Sequence, residues 1–345
     1  MSSAFLPNAL INGRFRIRSV IGAGTFGMVY AADDLEQSGF VAIKTLHEKV
    51  RLQDEYLLRF EREAEVTGRL SHPNVTALVA AGHLDDTSGA TTPYLAFELV
   101  RGLPLSRLLE QRGPLSAHDA IHLTTQLLAA LSAAHQQGIL HRDLKPDNIL
   151  IVAPAHLCSE PQPGGTLSMR LGIPEPEHES WTNLADHTVK VLDFGLAKLL
   201  DIGQGRAKAL TRAGYAPGTA HYMSPEQARG TDDLDYRADL YAVGLLLYRM
   251  LAGEEAFPGD NAMEVIGLQL SAPTPPLPDH CASDLNLVIR KATAKDPNAR
   301  FASADELAWA LRCAHDPALR SGPAPVINAP PRVSRPSLIR RLFGR

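Results

Sequence analysis

The stretch His141-Arg142-Asp143-Leu144-Lys145-Pro146-Asp147-Asn148 gathers a candidate base, a cation and a metal-binding amide on one short loop. A carboxylate there can take a proton from a hydroxyl, and a neighbouring lysine can neutralise an anion. Asp193-Phe194-Gly195 ends an apolar run and offers a second carboxylate for a hard cation. Gly22-Ala23-Gly24-Thr25-Phe26-Gly27-Met28-Val29 fits G-x-G-x-x-G-x-V, and glycine lets backbone N–H groups approach phosphate oxygens without a Cβ in the way. Val41-Ala42-Ile43-Lys44 puts a lysine in an apolar segment, where burial is costly without an anionic partner. Glu61, Glu63 and Glu65 follow as candidate partners. Taken together these groups supply positioning, metal-bridged phosphates and charge neutralisation, which are the requirements of phosphoryl transfer.

Each piece alone has a plainer reading. The glycine run fits a dinucleotide site or a hairpin with no ligand, Lys44 a snorkelling edge-strand lysine, and Asp143 or Asp193 a solvated loop charge. The dinucleotide reading requires a helix after the glycines, whereas Val29-Tyr30-Ala31 continues as strand.

The elements that must hold these groups follow from periodicity. Residues 15–21, 28–32, 40–46 and 94–100 read as strands, with a turn over 22–27. Residues 54–70 turn helical, with Leu57, Leu58, Val66 and Leu70 apolar among charges. From Leu105 helices dominate, notably 117–137 and 236–252, with two further strands at 149–152 and 188–192. The pattern predicts an α+β fold: a small β-rich lobe with one main helix, then a larger, mainly helical lobe, joined near 97–102. Between the two later strands, residues 154–187 form an acidic insert rich in proline and glycine. From Arg320 the tail carries arginines 320, 332, 335, 340, 341 and 345 with no acidic residue, a composition that cannot support a packed core.

Composition removes other classes. The 345 residues are 45% hydrophobic and 21% charged, with a formal net charge of -4, which gives no whole-chain argument for nucleic acid. Cys158, Cys281 and Cys313 lack paired metal-type spacing and read as free thiols in a reducing compartment. The most apolar run, 240–251, is too short to span a bilayer and is interrupted by Arg249, and no signal peptide is visible. The expected location is cytoplasmic.

The motifs in order resemble the eukaryotic-like serine/threonine protein kinases of bacteria, over about residues 12–315. The Gly loop, V-A-I-K, H-R-D-L-x-x-x-N and D-F-G are all present, and the A-P-E position reads Ser224-Pro225-Glu226. The resemblance implies a bilobal fold with an N-lobe over 12–97, a C-lobe over 98–315 and a basic tail over 316–345. It implies a reaction that moves the γ-phosphate of ATP, with Mg²⁺, onto protein serine or threonine hydroxyls. Asp143 would orient the hydroxyl and accept its proton, Lys145 would lie near the γ-phosphate, and Asn148 and Asp193 would hold Mg²⁺. Lys44 would contact the α- and β-phosphates with Glu63 as its helix partner. Ile21, Gly22, Ala23, Gly24, Thr25, Phe26 and Gly27 would cover the nucleotide. Val29, Ala42 and Leu150 would sandwich the adenine, and Glu98 and Val100 would meet it through their backbone beside Phe97. Asp239 would brace the catalytic loop and Arg300 would pair with Glu226. Lys145-Pro146 and Gly218-Thr219-x-x-Tyr222 resemble serine/threonine rather than tyrosine kinases.

Two other classes make different demands on these residues. A pseudokinase would have lost Lys44, Asp143, Asn148 or Asp193, and a small-molecule kinase would lack the docking segment and its Pro-Glu anchor. The chain departs from the family in three places. Asn148 and Asp193 are 45 residues apart because of the insert. Arg101-Gly102-Leu103-Pro104 offers no carboxylate for the ribose, and the expectation is of a kinase without an attached membrane span or sensor domain. Thr211 is the only serine or threonine between Gly195 and Gly218. With Arg142, Arg59 and Lys198 as the waiting cations, it is the expected autophosphorylation site, and dimerisation would serve phosphorylation in trans. The tail, with Leu338-Ile339-Arg340-Arg341-Leu342-Phe343, is expected to make at most a weak, salt-sensitive contact with an anionic membrane or with the insert.

Overall fold

In the computed structural model the described residues are 5–23, 27–47, 50, 54–85, 91–154, 181–194, 220–231, 234–279, 281 and 283–321. Two compact units divide between Arg101 and Gly102.

The first unit is a six-stranded antiparallel sheet in the order β1-β2-β3-β4-β6-β5, with one long helix. Its strands are β1 Leu10–Ile11, β2 Phe15–Ala23, β3 Gly27–Asp34, β4 Gly39–Leu46, β5 Leu78–Asp85 and β6 Thr91–Glu98. Helix α1 spans Asp54–Arg69. Pleating divides β4 cleanly: Val41 and Ile43 join Phe15, Ile17, Tyr30 and Ala96 in one apolar cluster. Ala42 and Lys44 point the other way, paired in register with Phe97 and Leu95. Phe60 and Ala64 of α1 pack on Leu95 and Phe97, so the helix covers the face that carries Lys44. Strand β5 was not read from the sequence. Its Ala80-Ala81-Gly82 core has weak strand preference and is held by pairing with β6, where Gly82 lies against the Tyr94 ring.

The second unit is mainly helical. It contains α2 (Leu105–Arg112), α3 (Ala117–His135), α4 (Pro225–Arg229), α5 (Arg237–Ala252), α6 (Ala262–Ser271), α7 (Ser283–Ala292) and α8 (Ala304–His315). A small sheet joins β7 (Leu103–Pro104), β8 (Ile149–Val152) and β9 (Thr188–Val191). Helix α5 is buried nearly all round, as its mostly apolar sequence, broken by charges only at Arg237, Asp239 and Arg249, requires. A Cβ at Gly244 would stand 2.7 Å from the Thr293 methyl, so glycine there lets α5 and α7 approach closely. The end of the insert is packed core rather than loop. Trp181, Leu184 and His187 are buried, Leu184 N–H donates to Asp119, and Arg112 donates to the Thr182 carbonyl. Residues 155–180 of the insert and the tail beyond 321 lie outside the described residues. Among the described residues no helix is long and apolar enough to cross a membrane.

Candidate active site

In the first unit the glycine motif is a hairpin. Gly22 pairs with Val29 and Ala23 with Met28, so β2, including Ile21, and β3 run together up to the tip. Gly24, Thr25 and Phe26 lie outside the described residues. Gly27 has a packing reason to be glycine, because a Cβ would stand 1.8 Å from the carbonyl oxygen of Thr45 on β4. The Lys44 ammonium lies 3.0 Å from Glu63 Oε1, and Glu63 is fully buried at its side chain. Helical geometry selects Glu63 from the three candidates. It lies three residues from Phe60 on the covered face of α1, whereas Glu65 pairs along the helix with Arg69. At the end of β6, the Glu98 amide donates to the Ala77 carbonyl at 2.9 Å, and its carboxylate accepts from the Ala77 amide at 3.0 Å. Val29, Ala42 and Val100 are half-buried.

In the second unit Asp143, Lys145 and Asn148 converge. Lys145 Nζ is 3.2 Å from Asp143 Oδ2. Asn148 Nδ2 donates to the Asp143 carbonyl at 2.8 Å and to its carboxylate at 3.3 Å. The Asn148 carbonyl accepts from Leu192 N–H at 2.9 Å, which ties the loop to the residue before Asp193. Leu150 lies on β8, half-buried, with the Gly102 backbone close against it.

Arg142 and Asp193 both hold positive φ, +67° and +54°, a conformation that costs a non-glycine residue on the order of 1–3 kcal/mol. The surroundings enforce it. Both oxygens of buried Asp239 accept backbone amides, from His141 at 2.9 Å and Arg142 at 2.8 Å. His135 Nε2 donates to the same carboxylate at 2.9 Å. Gln227 Nε2 donates to the Arg142 carbonyl at 2.8 Å. Because His141 Nδ1 accepts the Asp143 amide, its Nε2–H donates to the Leu192 carbonyl, at 2.8 Å. The His141 ring also packs edge-on against Phe194, centroids 4.9 Å apart. Burial pushes the Asp239 carboxyl up, but the His135 hydrogen bond, the neighbouring His135 and His141 rings and the Arg142 amide outweigh it and leave it lowered.

The segment after the loop is anchored as firmly. Ser224 and Gln227 form a capping box at the start of α4. Glu226 and Arg300 pair through two contacts of 2.6 and 2.7 Å, with Arg300 buried. The buried Tyr222 hydroxyl donates to Glu255 at 2.9 Å. Beside it a pocket of about 120 Å³ is lined by Ser106, Asp147, Tyr222 and Arg249. Gly195, Lys198, Thr211, Gly218, Thr219 and the Arg59 side chain lie outside the described residues.

The donor set suits Mg²⁺. Donation of the Asn148 amide nitrogen to Asp143 turns Nδ2 inward, so Oδ1 would be the atom offered to a metal, and Asp193 would add carboxylate oxygen. Mg²⁺ takes one or two carboxylates with water and phosphate oxygens, so it needs no larger acidic cluster, and none occurs among the described residues. Sequence reasoning missed His135 and Gln227. Ser224-x-x-Gln227 is a legible capping box, but nothing local marks His135, which meets Asp239 across 104 positions.

Comparison with known proteins identifies the family. The model of the protein kinase domain family matches residues 15–310. The chain is 36% identical over 317 residues to serine/threonine-protein kinase pkn3 of Myxococcus xanthus, covering 90% of this chain and 52% of that protein. It is 34% identical to serine/threonine-protein kinase PknB of Mycobacterium tuberculosis, covering 86% and 42%. It is 32% identical to PknA of the same species, covering 95% and 67%. The chain thus spans about half the length of the first of these relatives. The crystal structure of the M. tuberculosis PknI kinase domain superposes with a TM-score of 0.62 at 24% identity, covering 90% of this chain and 99% of that one, which shows the shared fold.

Proposed function

Since the chain belongs to the eukaryotic-like serine/threonine protein kinases of bacteria, we propose that it transfers the γ-phosphate of ATP to serine or threonine hydroxyls of proteins. The observation that carries this reading is the Asp143–Lys145–Asn148 cluster on a loop whose backbone is held from Asp239 and Gln227. Asp143 orients the acceptor hydroxyl and takes its proton as the new P–O bond forms and the bond to the departing ADP breaks. Lys145 places positive charge beside the transferred group, and Lys44, steadied by Glu63, binds the α- and β-phosphates. Asn148 and Asp193 would hold Mg²⁺, which neutralises phosphate charge when bound. We assign Ile21 to Gly27, Val29, Ala42, Glu98 and Val100 of the first unit, and Leu150 of the second, to the nucleotide, and residues 218–226 to the acceptor segment. An ATP donor and the unbridged thiols of Cys281 and Cys313 favour a cytoplasmic location.

The test is Asp143→Asn. It should lower phosphorylation of a generic basic protein by at least about 10³-fold while ATP affinity stays within about twofold. A variant that phosphorylated at the wild-type rate would remove Asp143 from its role. Thr211 remains our proposed autophosphorylation site, with dimers phosphorylating in trans. Mass spectrometry of protein incubated with ATP should find phosphate there, and finding it only elsewhere would discard the site.

A further inference from the structure

Lys295 carries a charge for which the proposed reaction has no task. It follows α7, with Nζ 2.9 Å from the Tyr241 hydroxyl and over the faces of Phe257, at 4.5 Å, and Tyr241, at 5.3 Å. Among the described residues no carboxylate pairs with it. The charges that face it are Arg300, from the segment before α8, and Arg229, at the end of α4. Arg300 is neutralised by Glu226. Burial first, then these two arginines, pull the ammonium down to about 8.

The Tyr241 hydroxyl, kept protonated by burial, donates in turn to Gln269 Oε1. Gln269 is fully buried, and its Nε2 donates to the carbonyls of His221, at 2.7 Å, and Ala220, at 3.3 Å. Every link has its donor on the Lys295 side, so the chain runs in one direction from the ammonium to two backbone carbonyls. Hydrogen bonds in such a series polarise one another, and a charged donor at the head strengthens each link.

We propose that Lys295 is a positioning residue for the acceptor-binding segment, holding the backbone at Ala220 and His221 through Tyr241 and Gln269, so that loss of its proton weakens protein-substrate binding. This rests on the reading of residues 218–226 given above. Fold stability should move the other way. A lysine held near 8, against 10.5 unfolded, costs stability below that pH, and the cost disappears as pH rises from about 8 to 10.5. A loss of substrate binding above pH 8 therefore cannot be a loss of fold driven by this lysine.

The experiment compares wild type, Lys295→Met, Lys295→Arg and Tyr241→Phe. Each is assayed for peptide KM, ATP KM and kcat between pH 7 and 9.5, and for hydrogen exchange of residues 220–224 at pH 7. Lys295→Met and Tyr241→Phe should raise peptide KM about fivefold and speed exchange, with ATP KM unchanged. Lys295→Met should also melt no lower than wild type. Wild-type peptide KM should rise through pH 8, and Lys295→Arg, which keeps its charge, should stay flat. Wild-type peptide KM and exchange in Lys295→Met, or the same alkaline rise in Lys295→Arg, overturns the proposal. If wild type and Asp143→Asn transfer no phosphate alike, the kinase reading fails instead, and the exchange comparison still decides whether Lys295 holds the segment.

Discussion

Lys44–Glu63 in the first unit and Asp143–Lys145 in the second are ion pairs of similar length, 3.0 and 3.2 Å, supported in different ways. Lys44 is placed by a strand and Glu63 by a helix that meets the sheet through Phe60 and Ala64, so the pair is as constant as that packing. The loop of Asp143 is tied by its backbone to Asp239 of α5 and Gln227 of α4, and His135 of α3 holds the Asp239 carboxylate in turn. A displacement of α1 moves Glu63 away from Lys44. A displacement of the catalytic loop must break several buried hydrogen bonds at once. The first arrangement suits a group whose position can be regulated, and the second a group whose geometry must be ready before substrate arrives.

The largest effect should come from removing the brace. Asp239→Ala leaves a buried and a part-buried backbone amide and His135 without their acceptor and releases two residues held at, or next to, positive φ. It should cost about 3–5 kcal/mol in a urea melt, and Asp239→Asn, which keeps one acceptor oxygen, should cost less. A loss under about 1 kcal/mol for the alanine variant would mean that the loop is held by something else. Glu63→Gln should show the opposite profile. The shape is kept and the charge removed, so stability should change by under about 1 kcal/mol while kcat/KM for ATP falls about tenfold, equivalent to about 1.4 kcal/mol. Equal losses of stability in Asp239→Ala and Glu63→Gln would erase the contrast between the two regions.

The legible and illegible parts of the sequence divide along the same line. Lys44, Asp143, Asn148 and Asp193 sit in short linear motifs, because each motif lies on one strand end or loop and its spacing is set by local backbone. The helices 117–137 and 236–252 could be bounded to within two residues, since their apolar runs stop at Gly138 and Gly253, both at positive φ. Strand β5 was hidden, because alanine and glycine gain strand character only beside β6. The support around the catalytic loop was only partly legible. Asp239 could be assigned by resemblance, whereas its bond to His135 closes a gap of 104 residues and leaves no period. Composition alone places Trp181 and His187 in a loop-like insert. A few buried side chains can anchor the end of a segment whose average composition is polar.

The smallest effect belongs to the first unit and comes from acid. Arg14 grips Asp34 through Nε at 2.9 Å and Nη2 at 2.6 Å, and the amides of Glu36 and Gln37 donate to the same carboxylate. The arginine hydrogen bond, ahead of those amides and against partial burial, holds the Asp34 carboxyl at about 2, compared with 3.8 unfolded. A lowered carboxylate stabilises the fold above its unfolded value, and that contribution drains as pH falls from about 4 towards 2. Arg14 is 18% exposed and Glu36 beside it is 67% exposed, so solvent screening reduces the effect to about 1 kcal/mol. Asp34→Asn keeps the shape and abolishes the titration. Hydrogen exchange in β2 and β3 should be faster than wild type by about fivefold at pH 7, with the ratio approaching one near pH 2.5. Both tryptophans, Trp181 and Trp309, lie in the second unit, so their fluorescence should not distinguish the variant at pH 7. A variant-to-wild-type ratio that stayed constant from pH 7 to 2.5 would show that the Arg14–Asp34 pair does not set the acid response of the first unit.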